Sequence, residues 1–350
     1  MNKFVDVRQT LKHHATFNLI FGGRGIGKTY SALDICRNLK DEFQAIYGQD
    51  IGDDGKFILL RRTWNEIEML ADTHGNPFKT LNRDKGDNIQ PKKLGRTLCG
   101  YYRDKELLGY GVALSTMASI RGYDFSDVKL IIFDEFIPEK HVQRIKAEGR
   151  AFLNAYETIN RNRELFGELP VINLIMTNSN DINSDLLVET GLLRKCENMV
   201  NRGQAFSYLP DFDATISFLK NKAFYNEKRE TALYKFSQNS DFSRMALDNE
   251  FVDNDFSNIV SKSLKGYENL FGIGDRMICR SLHSNDYYVT GKHGKKCALD
   301  YEDNDMGRRR ILQDFGGYLS NMYIAGRIYF ENYELKKWFV TLFMGKRHSV

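Results

Sequence analysis

The 350-residue chain has little proline, only five residues, and its five cysteines (Cys36, Cys99, Cys196, Cys279 and Cys297) include no C-x-x-C pair. So few prolines, and no low-complexity segment, argue against long extended linkers. Scattered cysteines, odd in number, form neither a disulfide framework nor a zinc site, and they fit a reducing cytoplasm. No uninterrupted apolar run approaches about 18 residues, and the opening MNKFVDVRQTLKHH lacks the apolar centre of a signal peptide, so no membrane span or secretion is expected. A strong charge of either sign is missing too. The net charge of +4 permits contact with nucleic acid without demanding it.

What remains is ordinary globular material, 42% hydrophobic and 27% charged, in a chain too long for one typical core. Two domains are expected, or one large domain with an appendage. Residues 17–30, FNLIFGGRGIGKTY, carry the most specific signal. An apolar run broken only by Asn18 reads as a buried strand, a glycine-rich turn follows, and Lys28-Thr29 opens a helix. Gly22, Gly27, Lys28 and Thr29 satisfy the P-loop spacing, in which backbone N–H groups from Gly22, Gly23, Arg24, Gly25, Ile26 and Gly27 through Tyr30 wrap a polyphosphate at a helix N-terminus. Lys28 is expected to neutralise the β- and γ-phosphates of ATP, and the Thr29 hydroxyl to take one Mg²⁺ position. A side chain at the glycines would hold the backbone off the phosphates and resist positive φ.

The second signal is KLIIFDEF, residues 129–136. Four apolar residues run into Asp134-Glu135, the Walker B arrangement: a buried strand delivers the aspartate to Mg²⁺, and the adjacent glutamate polarises the attacking water. A glutamate directly after the aspartate implies hydrolysis. The next buried strand, residues 171–176, leads into Thr177 and Asn178, where a P-loop ATPase senses the γ-phosphate. Ser179 and Asn180 read equally well as a cap for a helix over 185–193.

Around these motifs, residues 31–40 show helical periodicity, 57–60 read as a short strand ending in Arg61-Arg62, 64–71 as a short helix and 148–166 as a long one. The two arginines stand at a strand end, where open α/β sheets bind ligands; phosphate, a neighbouring subunit and solvent all remain open for them. Residues 97–102 and 107–114 pair as a hairpin across residues 103–106 in a basic stretch with eight Lys/Arg between 79 and 105. Such a projecting insertion could grip a nucleic-acid backbone or form a solvated face. Residues 217–236 suit a connecting helix. Beyond 243 the texture changes to β-rich segments, 269–278 and 287–290, followed by helices over 308–325 and 334–343; the run Arg308, Arg309 and Arg310 could touch nucleic acid or be solvated, and the solvated reading is favoured. The expected division is a P-loop ATPase domain over 1–205, linker or lid helices over 206–240, and a smaller α+β domain over 241–350.

Taken together, GGRGIGKTY (22–30), LLRRTWNEI (59–67), IIFDEFIPEK (131–140), NRNREL (160–165) and MALDNEFV (245–252) resemble the phi29-like phage DNA-packaging ATPases, in the same order through about residue 255. The resemblance implies an α/β ASCE-type ATPase domain with a mainly parallel sheet, in which an extra strand carrying the catalytic glutamate lies between the P-loop and Walker B strands. It implies a homomeric ring of five subunits on the portal of a procapsid in the host cytoplasm, driving double-stranded DNA inward. Whether a packaging RNA joins the motor stays open. It further implies that Arg161 acts in trans as an arginine finger, that Arg121 reaches into the neighbour's site, and that Arg24 holds the γ-phosphate in cis. The family's DNA-gripping lysine after the double arginine is replaced near Trp64, so DNA contacts do not carry over. Its second domain resembles an RNase H-like nuclease that has lost cutting; Asp275, Asp286 and Asp300 are the candidate carboxylates, and no patterned cluster is visible among them. The rival readings are a P-loop helicase or translocase, a phage assembly ATPase that usually carries a membrane span, and a nucleotide-binding protein that never turns over.

Overall fold

A computed structural model describes residues 4–72, 74–120, 122–138, 145, 147–178, 182, 184–238, 258–291 and 297–344. Arg121, Ser179, Asn180 and the stretch 245–252 lie outside the described residues. The chain forms two compact units, Met1–Asn254 and Asp255–Val350.

The first unit is built on a nine-stranded sheet in the order β3-β4-β5-β2-β6-β7-β1-β9-β8. The strands are β1 (Phe17–Gly22), β2 (Lys56–Arg61), β3 (Ile89–Lys93), β4 (Leu98–Arg103), β5 (Glu106–Ala113), β6 (Val128–Asp134), β7 (Ile172–Thr177), β8 (Phe206–Leu209) and β9 (Ala214–Leu219). From β5 to β9 every neighbouring pair is parallel. Interior parallel strands are covered on both faces, which is why β1, β2, β6 and β7 read as mostly apolar runs rather than alternating ones. Helix α2 (Lys28–Arg37) packs Leu33 and Ile35 into the core formed with Ile20, Leu59, Ile132 and Leu174. Asn18, the polar break in β1, is fully buried and satisfied: its amide donates to Ala15 O at 2.9 Å and Asn173 O at 3.2 Å, and its carbonyl accepts from Thr215 at 2.7 Å. A buried amide is tolerated when its hydrogen bonds are made, and here they tie β1 to both neighbours.

Several expectations are corrected. The extra strand between P-loop and Walker B strands is β7, but it does not carry the glutamate; Glu135 follows β6, and β7 delivers Thr177 and Asn178. The 103–106 hairpin forms, with Asp104 at φ 52°, but it does not project. β5 pairs in parallel with β2, and Tyr101 of β4 and Val112 of β5 are fully buried, so the hairpin extends the main sheet. Within the basic stretch, Arg103 is paired with Asp87, Arg83 with Asp84 and Lys93 with Glu68. Residues 206–219, expected in a linker, form the antiparallel pair β8 and β9 inside the sheet. The helix over 148–166 stops as α6 (Glu148–Asn160), because Arg161 and Asn162 both adopt left-handed backbone and Arg163 turns inward. Its buried guanidinium donates to the carbonyls of Val128, Phe125 and Ser126, anchoring this turn to the start of β6.

The second unit has a five-stranded sheet, order β13-β10-β11-β12-β14, with β10 (Tyr267–Ile273), β11 (Arg276–Ser281), β12 (Tyr287–Gly291), β13 (Asp300–Tyr301) and β14 (Ile328–Phe330). A 20-residue helix (Asp305–Ile324), capped by Asn304, buries Ile311 and Leu319 against it.

The end of β2 is tied to the start of α6 by Arg62 and Glu148, both buried, with Nε–Oε1 2.5 Å and Nη2–Oε2 3.2 Å. Removing one partner of a buried ion pair takes from the other the opposite charge that offsets its desolvation. Glu148→Ala is therefore expected to cost about 3–5 kcal/mol of unfolding free energy; urea denaturation checks this, and a loss under about 1 kcal/mol would show the pair to be no more than a surface-type contact.

Candidate active site

β1 runs straight into the P-loop, and α2 begins at Lys28. The glycines are dictated by space and backbone. A Cβ on Gly22 would stand 2.7 Å from Ile26 Cδ1 and 3.1 Å from Leu219 O, and Gly25 and Gly27 sit at φ 82° and 97°. Gly22, Gly23 and Ile26 are buried while Arg24 and Gly25 form the exposed tip. Tyr30, one turn into α2, rests its ring 5.3 Å from that of Phe4.

Lys28 is only 3% exposed. Its ammonium donates to Gly22 O at 2.6 Å, Gly23 O at 3.0 Å and Asn178 Oδ1 at 2.7 Å. Burial pushes its pKa down to about 8, against the pull of Asp134 and Glu135, so its charge is poorly compensated and suited to meeting an anion. The Thr29 hydroxyl donates to Asp134 Oδ2 at 2.9 Å. This hydroxyl and carboxylate are the hard oxygen donors that Mg²⁺ takes, so the residues fit the ion that the P-loop pattern implies.

Glu135 stands just past the end of β6 in left-handed backbone, φ 59°. Such a conformation persists only where its surroundings enforce it. Here the Glu135 N–H donates to Asp134 Oδ1 at 3.1 Å and the Phe136 N–H to Met176 O at 3.1 Å. The side chain is half exposed and receives a long contact, 3.4 Å, from Asn178 Nδ2. Asn178 thus touches both Lys28 and Glu135, whereas Thr177 is fully buried in register with Phe21 on β1. Of the two expected sensors, Asn178 is the one that reaches the site.

Arg61 was open to several readings. It is 3.0 Å from Asp134 Oδ2 through Nη2 and 3.0 Å from Glu135 Oε2 through Nη1, one guanidinium bridging both carboxylates. Its neighbour Arg62 is the buried structural partner of Glu148. The position of Arg61 at the end of a parallel strand hinted at the site; the partner could not be named, because strand order decides it.

Arg161, by contrast, does not face its own P-loop. It is about half exposed and contacts Tyr123 O at 3.1 Å and Asp124 Oδ1 at 3.4 Å. Two residues missed in the sequence lie on α9 (Lys222–Arg229): the Lys228 ammonium donates to Arg24 O at 2.7 Å, and the Phe224 ring stands 3.5 Å from where a Gly25 Cβ would lie. Nothing in the local sequence marked them, since that stretch reads as a connector.

Residues that orient liganding and catalytic carboxylates are typically worth about 10–100-fold in activity. Arg61→Ala is expected to lower turnover by about that factor while nucleotide affinity changes less than about threefold; steady-state ATPase assays beside equilibrium nucleotide binding would separate the two, and unchanged turnover would remove Arg61 from the catalytic arrangement.

Comparisons with known proteins bear on the family of the chain. Residues 1–288 match the family model described as Podovirus DNA encapsidation protein (Gp16). The chain is 29% identical over 337 residues to the DNA packaging protein of Bacillus phage B103, covering 92% of this chain and 94% of that protein. It is 27% identical over 273 residues to the DNA packaging protein of Bacillus phage phi29, covering 77% and 72% respectively. In fold it is similar to a chain of the bacteriophage Phi-29 viral genome packaging motor assembly, with a TM-score of 0.65 at 21% identity over 99% of this chain and 100% of that one. The resemblance visible in the motifs holds across most of the sequence, and the chain belongs to the Podovirus DNA encapsidation protein (Gp16) family.

Proposed function

We propose that this encapsidation protein hydrolyses ATP with Mg²⁺ as one subunit of a homomeric ring on the procapsid portal, driving double-stranded DNA inward. The observation that carries the reading is a continuous polar circuit at one end of the parallel sheet: Thr29 to Asp134, Asp134 to Arg61, Arg61 to Glu135, Glu135 to Asn178, and Asn178 to Lys28. The members come from the ends of β2, β6 and β7 and from the helix following β1, so the sheet register holds the circuit together.

In this reading the P-loop N–H groups and Lys28 bind the β- and γ-phosphates, with Arg24 at the exposed tip beside the γ-phosphate. Thr29 and Asp134 hold Mg²⁺, which when bound neutralises charge developing on the transferred phosphoryl group. Glu135 accepts the proton of the attacking water, and Asn178 orients it while touching Lys28.

Arg161 belongs to a neighbour's site. It lies beside the turn preceding Val128, where β6 starts, whereas Asp134 is the last residue of that strand. Six steps of about 3.3 Å put the two ends about 20 Å apart, far beyond the reach of an arginine side chain. A ring supplies the missing contact by presenting Arg161 to the adjacent subunit, so that a site fires only when its neighbour is placed. The fold likeness to a chain of a viral genome packaging motor assembly and the relatives' name, DNA packaging protein, support a packaging motor acting on DNA.

The second unit is read as a domain that does not cut. Asp275 precedes β11, while Asp286 contacts Ser281 at its far end. Opposite ends of one strand cannot share ions about 4 Å apart.

An arginine finger is worth about 10³- to 10⁵-fold in rate. Arg161→Ala is expected to lose at least about 10³-fold in ATPase turnover while still binding nucleotide. Mixing it with Glu135→Gln subunits, themselves inactive, should restore part of the activity, because one supplies the glutamate and the other the finger. No recovery at any mixing ratio would overturn the trans assignment.

A further inference from the structure

Helix α9 has a role that no feature of its sequence announces. β9 pairs in parallel with β1, and the last matched pair is Gly22 with Leu219. The chain therefore leaves the sheet alongside the P-loop, and Asn221 starts α9 there by accepting from Phe224 N at 3.0 Å. One face of the helix is spent on the loop, Phe224 and Lys228 reaching residues 24 and 25. The Phe224 ring stands 3.5 Å from where a Gly25 Cβ would lie, and Tyr225 beside it is buried. Lys228 Nζ donates to Arg24 O at 2.7 Å and lies 3.7 Å from the same Gly25 Cβ position. The lysine is held there by the faces of Phe224 and Tyr234, 5.8 and 4.9 Å from its ammonium.

The Arg24 carbonyl and the Gly25 N–H belong to one planar trans peptide and point in opposite directions. A cation on the carbonyl side makes the N–H on the other side a stronger donor, because linked hydrogen bonds polarise one another. It also prevents the peptide from rotating, which Gly25, at φ 82°, would otherwise allow at little cost. In the P-loop arrangement this N–H is among those that face the phosphates.

We propose that Lys228 is a positioning residue for the nucleotide's β- and γ-phosphates: seated between Phe224 and Tyr234, it fixes and polarises the Arg24–Gly25 peptide so that the Gly25 N–H donates into the site. The proposal rests on the ATPase reading given above and adds a cis contribution from the segment that follows the last strand of the sheet. It also means that binding of a polyphosphate is felt directly by α9.

The test uses the full-length chain, with fluorescent Mg·ADP and Mg·ATPγS as probes in equilibrium titrations, for wild type, Lys228→Met and Lys228→Arg. A hydrogen bond from a charged group is worth about tenfold or more in an equilibrium constant. Lys228→Met should therefore bind both nucleotides about tenfold more weakly, Lys228→Arg should regain most of that, and the thermal midpoint without nucleotide should be the same in all three. A merely structural lysine would move the midpoint and leave affinity alone. Wild-type affinity in Lys228→Met, or a loss that arginine does not restore, would overturn the proposal while leaving the ATPase reading standing. Failure of the wild-type chain to bind either nucleotide would overturn both.

Discussion

Two carboxylates on consecutive residues repel each other, and a strand end normally turns them to opposite sides. Here a single guanidinium, Arg61, bridges Asp134 and Glu135 at 3.0 Å each. Charge-assisted contacts of this kind are short and directional, and this one lets the two carboxylates proposed above to hold Mg²⁺ and to activate water share one mouth. The arrangement depends on β2 lying beside β6, with Leu60 opposite Phe133, so that the residue after each of them falls at the same level. Sheet register is thus the constraint from which the site follows. The buried Arg62–Glu148 pair fastens the end of β2 to α6, and the Asn18–Thr215 contact fastens β1 to β9.

Much of this was legible in the sequence, and the reason is locality. The P-loop is a strand, a turn and a helix in fourteen consecutive residues, and Walker B is an apolar run ending in two acids. Both carry their chemistry in adjacent positions. What escaped were pairings between distant segments: Arg61 with Asp134, 73 positions apart, and Lys228 with Arg24, 204 apart. β8 and β9 escaped for a different reason. Their FSYL and ATISFL sequences mix polar with apolar residues, and Thr215 looks solvent-facing until its buried partner Asn18 is known. The hairpin at 103–106 was read correctly as a hairpin, but nothing in it announces that β5 joins β2, so a piece of the main sheet read as a projection.

The site is consequently two-ended. Helix α9 closes on the P-loop from within the same subunit, while Arg161, turned out by two left-handed residues and anchored through Arg163, points away at the far end of β6. The cis parts are assembled by the fold alone; in the function proposed above the remaining cation comes from a neighbour. That division would make hydrolysis a property of the assembled ring and give each subunit a physical reason to wait for the next.

The most direct measurement of that claim is ATPase turnover per subunit as the wild-type protein is diluted, with the assembly state followed in the same samples. A site completed by its neighbour predicts that turnover per subunit collapses as the assembly dissociates, while nucleotide binding by the separated subunits persists. Turnover per subunit that stays constant down to the monomer would contradict the account.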